Sequence, residues 1–148
     1  VTQPFRLQRL LDLKAKHEQA LAAQLGQAEQ QARQERAVHE ALEAVRRASV
    51  QDMLSAQGER RVGELRPLEA LLDHVDQQLD AQATRVADAE RTVDAAQAAL
   101  AAAHREKRVL DRLREKHHDR SRAEEGQADQ RRTDDIAMAR FLRSRTAD

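Results

Sequence analysis

Residues 65–110, LRPLEALLDHVDQQLDAQATRVADAERTVDAAQAALAAAHREKRVL, decide the fold. One seven-residue series in this stretch reads Leu65, Leu72, Leu79, Val86, Val93, Leu100. A second, interleaved series reads Leu68, Val75, Gln82, Ala89, Ala96, Ala103, Leu110. Two apolar positions in every seven, kept over several heptads, make the narrow seam along which two α-helices wind into a left-handed coiled coil. A second helix must cover that seam, and the sequence upstream supplies one. Apolar residues recur there at Leu21, Leu25, Ala28 and Ala32, then at Val38, Leu42, Val45, Ser49, Met53 and Ala56. The step across Glu35 breaks phase, which predicts a locally disturbed supercoil at that residue.

Between the two patterns, Gly58, Gly63 and Pro67 fall within ten residues. Glycine reaches turn conformations at low cost, and proline opens a helix more readily than it continues one. The reading is a single elongated hairpin over residues 1–148, with helix 1 at about 5–57, a turn at about 58–66 and helix 2 at about 67–142. Folding the chain near residue 62 makes the numbers of facing residues sum to about 124. Leu11 then faces Leu113, Lys14 faces Leu110, Leu25 faces Leu100, Ala28 faces Ala96, Ala32 faces Val93, Val38 faces Val86 and Val45 faces Leu79. A short connection favours antiparallel neighbours. The expected fold class is therefore all-α, two long helices forming an antiparallel coiled-coil hairpin. Its seam is built from Leu25, Val38, Val45, Leu79, Val86, Val93, Leu100 and Leu110. Beyond about residue 119, helix 2 outlasts helix 1, yet it still carries Ile136, Met138, Phe141 and Leu142. Apolar residues on an unpaired helix point to a partner surface, against the plainer reading of a frayed end.

Composition agrees. Charged residues make up 35% of the chain and aromatic residues 1%, with two Phe and neither Trp nor Tyr, so a compact core would lack its large side chains. Ala, Leu, Gln, Glu, Arg and Lys are good helix formers. Formal net charge is zero, so no global field attracts nucleic acid or an anionic membrane. Locally, residues 65–104 are acidic and residues 105–148 basic. With no cysteine there is no disulfide framework or thiol chemistry. No apolar run reaches the ~18 residues of a membrane span, and Val1-Thr2-Gln3-Pro4 does not resemble a signal peptide.

Catalytic and metal chemistry find little footing. Glu115–His118 is one Glu-x-x-His motif, whereas a di-iron bundle needs two such motifs and further carboxylates. A two-helix seam encloses no water-excluding cavity. There is no phosphate-cradling glycine loop and no nucleophile elbow. Carboxylates mostly have Arg or Lys at helical spacing, as in Glu43 and Arg47, which supports exposed helices. The basic segment Arg105–Arg122 is interleaved with acids and lacks aromatics for base stacking. The expectation is a protein-binding module that is not an enzyme, with no cofactor, metal, nucleic acid or membrane insertion.

Both ends resemble the FliJ family of bacterial flagellar export proteins. Phe5-Arg6-Leu7-Gln8-Arg9-Leu10-Leu11-Asp12-Leu13 looks like the family's Phe-x-Leu-x-x-Leu-Leu-x-Leu start. Arg105–Leu113 is similar to its basic second-helix segment. Asp129-Gln130-Arg131-Arg132-Thr133-Asp134-Asp135-Ile136-Ala137, with Phe141, looks like its closing Gln-Lys-x-x-Asp-Glu-x-Ala…Phe pattern. The resemblance implies a cytoplasmic stalk of the flagellar type III export apparatus, peripherally associated with the inner membrane at the flagellar base. Its helix ends would bind the hexameric export ATPase, for which Phe5, Leu7, Arg112, Arg114, Lys116, Met138 and Phe141 are the candidates. The hairpin would contact the export gate protein FlhA, with Leu71 and Val75 as candidates, and export chaperones would be further partners. Unlike some relatives, this chain has no aromatic near its turn. The alternatives are the stalk of a non-flagellar type III system and a self-associating coiled coil without an ATPase.

Overall fold

The computed structural model describes residues 4–56 and 62–147. Two helices account for nearly all of them: α1, Gln8–Ala56, and α2, Val62–Thr146. There is no strand among the described residues. The chain is an all-α helical hairpin, its two long helices packed against each other. Pro4 and Phe5 precede the first turn. The Gln8 amide donates to the Phe5 carbonyl at 3.0 Å and the Leu11 amide to the Leu7 carbonyl at 2.9 Å, which winds the chain into α1.

The second helix starts earlier than expected. Part of the turn anticipated at 58–66 lies outside the described residues, and its remainder, 62–66, is already helical, with Pro67 inside α2. Proline removes one helical hydrogen bond, to the carbonyl four residues back. Pro67 is the sixth residue of α2, so the carbonyl that loses its partner is that of Gly63 in the first turn, and the helix runs on past it. Gly63 has an ordinary helical backbone, as no described glycine has positive φ. The far end of α2 also runs longer than expected, to Thr146, and Arg143 and Arg145 in its last turn suit the negative end of the helix dipole.

Contacts divide the chain into two compact units. In the first, Val1–His17 with Ala103–Asp148, Leu11 is buried together with Ala103 and Leu110. Phe5 meets His117, and Lys14 meets Glu106 at 2.7 Å. Rising numbers on α1 thus meet falling numbers on α2, the mark of an antiparallel pair. Leu113, expected opposite Leu11, is exposed; Arg114 beside it is half-buried instead.

In the second unit, Glu18–Ala102, α1 and α2 are again antiparallel. Glu35 bonds Gln82, Arg36 bonds Glu90 at 2.7 Å and Arg46 bonds Asp76 at 2.6 Å. On α2 the two series read from the sequence are all shielded: Leu65, Leu68, Leu72, Val75, Leu79, Gln82, Val86, Ala89, Val93, Ala96 and Leu100 are buried or half-buried, with Asp76, Ala87, Glu90 and Ala102 half-buried beside them. On α1, with Glu29 and Val50 half-buried beside them, the shielded residues at seam spacing are Glu18, Leu21, Leu25, Ala28, Ala32, Glu35, His39, Leu42, Ser49 and Met53. This is one uninterrupted alternation of threes and fours, with Arg46 at the remaining step. The phase break expected at Glu35 is absent. Val38 and Val45, expected in the seam, lie beside it, 47% and 46% exposed. The reason is geometric. A supercoil holds its phase by keeping the 3.5-residue period, so α1 takes polar side chains into seam positions and leaves two valines outside.

Candidate protein-binding interface

The first unit presents the open end of the hairpin. Phe5 is half-buried, its ring 5.6 Å from that of His117 and tilted by 56°. Leu7 is exposed beside it. Arg112 and Lys116 are exposed. Arg114 occupies a seam step and is half-buried, its guanidinium 3.8 Å from Asp111. It is therefore part of the packing as well as a surface charge. A shallow concavity of about 490 Å³ is lined by Gln8, Arg114, Glu115, His118, Asp119 and Arg122. Glu115 and His118 thus share a wall, but no group of three His, Asp or Glu able to hold a metal occurs among the described residues.

Lys14 also sits at a seam step. Its long apolar stem lets the ammonium reach outward, where it donates to Glu106 at 2.7 Å. That hydrogen bond, then the Lys14 charge, with a smaller contribution from His17, holds the Glu106 carboxyl below its ordinary range against a slight opposing effect of desolvation.

Every described residue of α2 after Arg122 is exposed. Met138, Phe141 and Leu142 fall three and four residues apart on one side of the helix, and the Arg145 guanidinium lies 5.7 Å from the Phe141 ring centre. Ile136 points elsewhere around the helix, also exposed. Two of the apolar residues, Met138 and Leu142, extend the same three–four alternation that makes the seam. The intervening steps, Glu124, Ala128, Arg131 and Asp135, are mostly charged, so the apolar pattern resumes only at this end, where no α1 segment covers it.

The second unit carries a different surface. Leu71, one of the two residues expected at the export gate, is 43% exposed. Val75, the other, is 4% exposed. It fills a seam position and offers a partner nothing without opening the pair, so it is removed from the candidate surface. Val38 and Val45 take its place. Each precedes a seam position by one residue (His39, Arg46), as Leu71 precedes Leu72. In an antiparallel pair, residues that precede the seam on both helices share one flank and residues that follow it share the other. The contact between Arg36 and Glu90, which follow Glu35 and Ala89, marks the second flank. Val38, Val45 and Leu71 are accordingly exposed apolar residues of the first flank. The signal was present in the sequence as valines one step off a strict alternation.

No helix among the described residues is long and apolar enough to cross a membrane. Neither a curated protein nor a solved structure matches the chain. A family model does, the one described as flagellar FliJ protein, over residues 3–146. With nearly its whole length matched and a two-helix hairpin to go with it, the chain belongs to the FliJ family of flagellar export proteins.

Proposed function

We propose that this protein is a non-enzymatic stalk that binds the hexameric flagellar export ATPase through its open end and the export gate through the flank of its second unit. The observation that carries this reading is the uncovered length of α2. Residues 122–146 are helical and exposed, and near their end Met138 and Leu142, with Phe141 beside them, stand at seam spacing with no α1 segment to bury them. Exposed apolar side chains at coiled-coil spacing suit a helical or ring-lining partner. Arg112, Lys116 and Arg120, all exposed on the preceding turns, supply charge for steering and docking. Phe5 and Leu7 stand at the same end.

Leu71, Val38 and Val45 form the surface proposed for the gate. Export chaperones would be transient further partners, and association with the inner membrane would follow from the gate rather than from a segment of this chain.

The test is ATPase binding and stimulation by a variant with Arg112→Glu, Lys116→Glu and Arg120→Glu. Arg114 is left alone because reversing a half-buried seam residue would disturb packing. Binding should weaken about tenfold and fall further with salt, while helicity is kept. Normal stimulation by this variant would show that the basic turns only solubilise α2. Val45→Asp with Leu71→Asp should abolish gate binding and spare ATPase binding. If both variants bind normally and the parent sediments as a dimer, the protein is a self-associating coiled coil instead.

A further inference from the structure

In the second unit, the seam positions that α2 supplies from Leu65 to Leu100 are Leu, Val or Ala with a single exception, Gln82. That residue is also among the most buried in the molecule, at 4% exposure. Its amide nitrogen donates to α1 twice, to the Glu35 backbone carbonyl at 3.0 Å and to a Glu35 carboxylate oxygen at 2.5 Å. Both donor hydrogens therefore go to one residue of the opposite helix.

The rest of the α2 side of this seam carries little information about register, and the Arg46–Asp76 and Arg36–Glu90 pairs have side chains open to solvent and so discriminate weakly. On α2, Leu, Val and Ala repeat every seven residues, so a slide by one heptad offers α1 the same kind of apolar side chain at each seam step. Backbone carbonyls recur at every residue and could receive one Gln82 hydrogen in any register. The Glu35 carboxylate does not recur. A heptad slide brings Gln82 opposite Ala28 or Leu42, which have no acceptor in the side chain, and leaves a buried amide donor unpaired. A single buried polar residue in an otherwise apolar helix seam is a known way to fix alignment at some cost in stability.

We propose that Glu35 and Gln82 form a register lock, which holds the second unit in one alignment and prevents the two helices from sliding. The seam then transmits force as a fixed unit and does not relay a shift of one helix past the other.

Disulfide crosslinking of the full chain tests this, and the absence of native cysteine makes it clean. Arg36→Cys with Glu90→Cys reports the observed alignment, since these residues touch. Arg36→Cys with Gln97→Cys reports an alignment displaced by one heptad. In the parent only the first pair should close. Gln82→Leu should raise the yield of the displaced pair about tenfold, with helicity unchanged, because the slipped state no longer strands a buried donor. Glu35→Leu should act in the same direction. Val86→Leu, an apolar exchange at the neighbouring seam position, should leave the displaced yield at the parental level. The lock is overturned if Gln82→Leu leaves the displaced yield unchanged, or if Val86→Leu raises it equally.

Discussion

The two strands of the second unit's seam solve one packing problem with different residues. On α2 the seam is apolar throughout except for Gln82; on α1 it passes through Glu35, His39, Arg46 and Ser49. Buried apolar area on α2 does most to hold the pair together. Polar seam residues on α1 add less attraction; two find partners across the pair and so discriminate, Gln82 for Glu35 and, more weakly, Asp76 for Arg46, while two are satisfied within α1, His39 by Glu43 at 3.3 Å and the Ser49 hydroxyl by the Val45 carbonyl at 2.8 Å. A helix with too few apolar residues can thus remain in a coiled coil provided its partner supplies the hydrophobic side. The two valines left over on α1 then become surface.

The sharpest way to break this comparison is to put the same charge into seam and flank. Val75→Asp places an unpaired carboxylate in the buried α2 seam and should destabilise the chain by about 3 kcal/mol or more. Val45→Asp, expected from sequence to be as severe, should cost no more than about 0.5 kcal/mol, because Val45 is a flank residue. Thermal melts followed by circular dichroism measure both. Equal losses would return Val45 to the seam and restore the phase break.

Leucines of the first unit give the next contrast. Leu11 is buried and Leu13, two residues on, is well exposed. Leu11→Ala should cost about 2–3 kcal/mol and Leu13→Ala almost nothing. A similar effect at both would mean that the open end packs on a different face of α1.

These contrasts also show what could be read in advance. The α2 seam was legible because its residues are apolar at both heptad positions, so a search for hydrophobic periodicity finds it directly. The α1 seam was only half legible. Counting apolar residues follows Leu21 to Ala32 correctly, then steps off onto Val38 and Val45, because Glu35 and His39 look like surface. What identifies them as seam is the unbroken three–four spacing, a constraint of helix geometry rather than of residue type. The expected register was close, though most cross-helix contacts fall slightly to one side of it. The start of α2 differs from expectation because Gly63 and Pro67 are turn residues by propensity, whereas the helix runs through both at the loss of one hydrogen bond, to the Gly63 carbonyl. At the candidate site, the exposed end of α2 was foreseen from unequal helix lengths. Burial of Val75 could have been foreseen too, since it belongs to the interleaved α2 series.

Glycines extend the comparison to a smaller effect. Gly26 and Gly126 both sit in helix with nothing within 4 Å of an added Cβ. Alanine gains about 1 kcal/mol over glycine at a helix interior. At Gly26, in the paired second unit, that gain should appear as a higher melting temperature. Gly126 lies on the uncovered stretch of α2, whose helicity does not depend on pairing with α1. Gly126→Ala should raise helix content there, seen as slower amide exchange over 120–130, and leave the cooperative melt unchanged. A matching rise in melting temperature would show that the overhang unfolds together with the paired helices.

The smallest effect concerns Lys14, a polar residue in the seam of the first unit that satisfies itself outside it. Its ammonium lowers the Glu106 pKa on folding. A carboxylate whose pKa is lower in the folded chain than in the unfolded one stabilises folding fully above its unfolded value. That contribution fades as pH falls through the folded value. Lys14→Met keeps an unbranched stem in the seam and removes the charge, so Glu106 should titrate closer to an ordinary glutamate when followed by NMR. The stability of the parent relative to Lys14→Met should then be greatest near neutral pH and shrink below the ordinary carboxylate range. If the Glu106 midpoint does not rise in Lys14→Met, the exposed pair is too well solvated to matter. Polar seam residues would then act in this unit only through the apolar parts of their side chains, unlike Glu35 in the second.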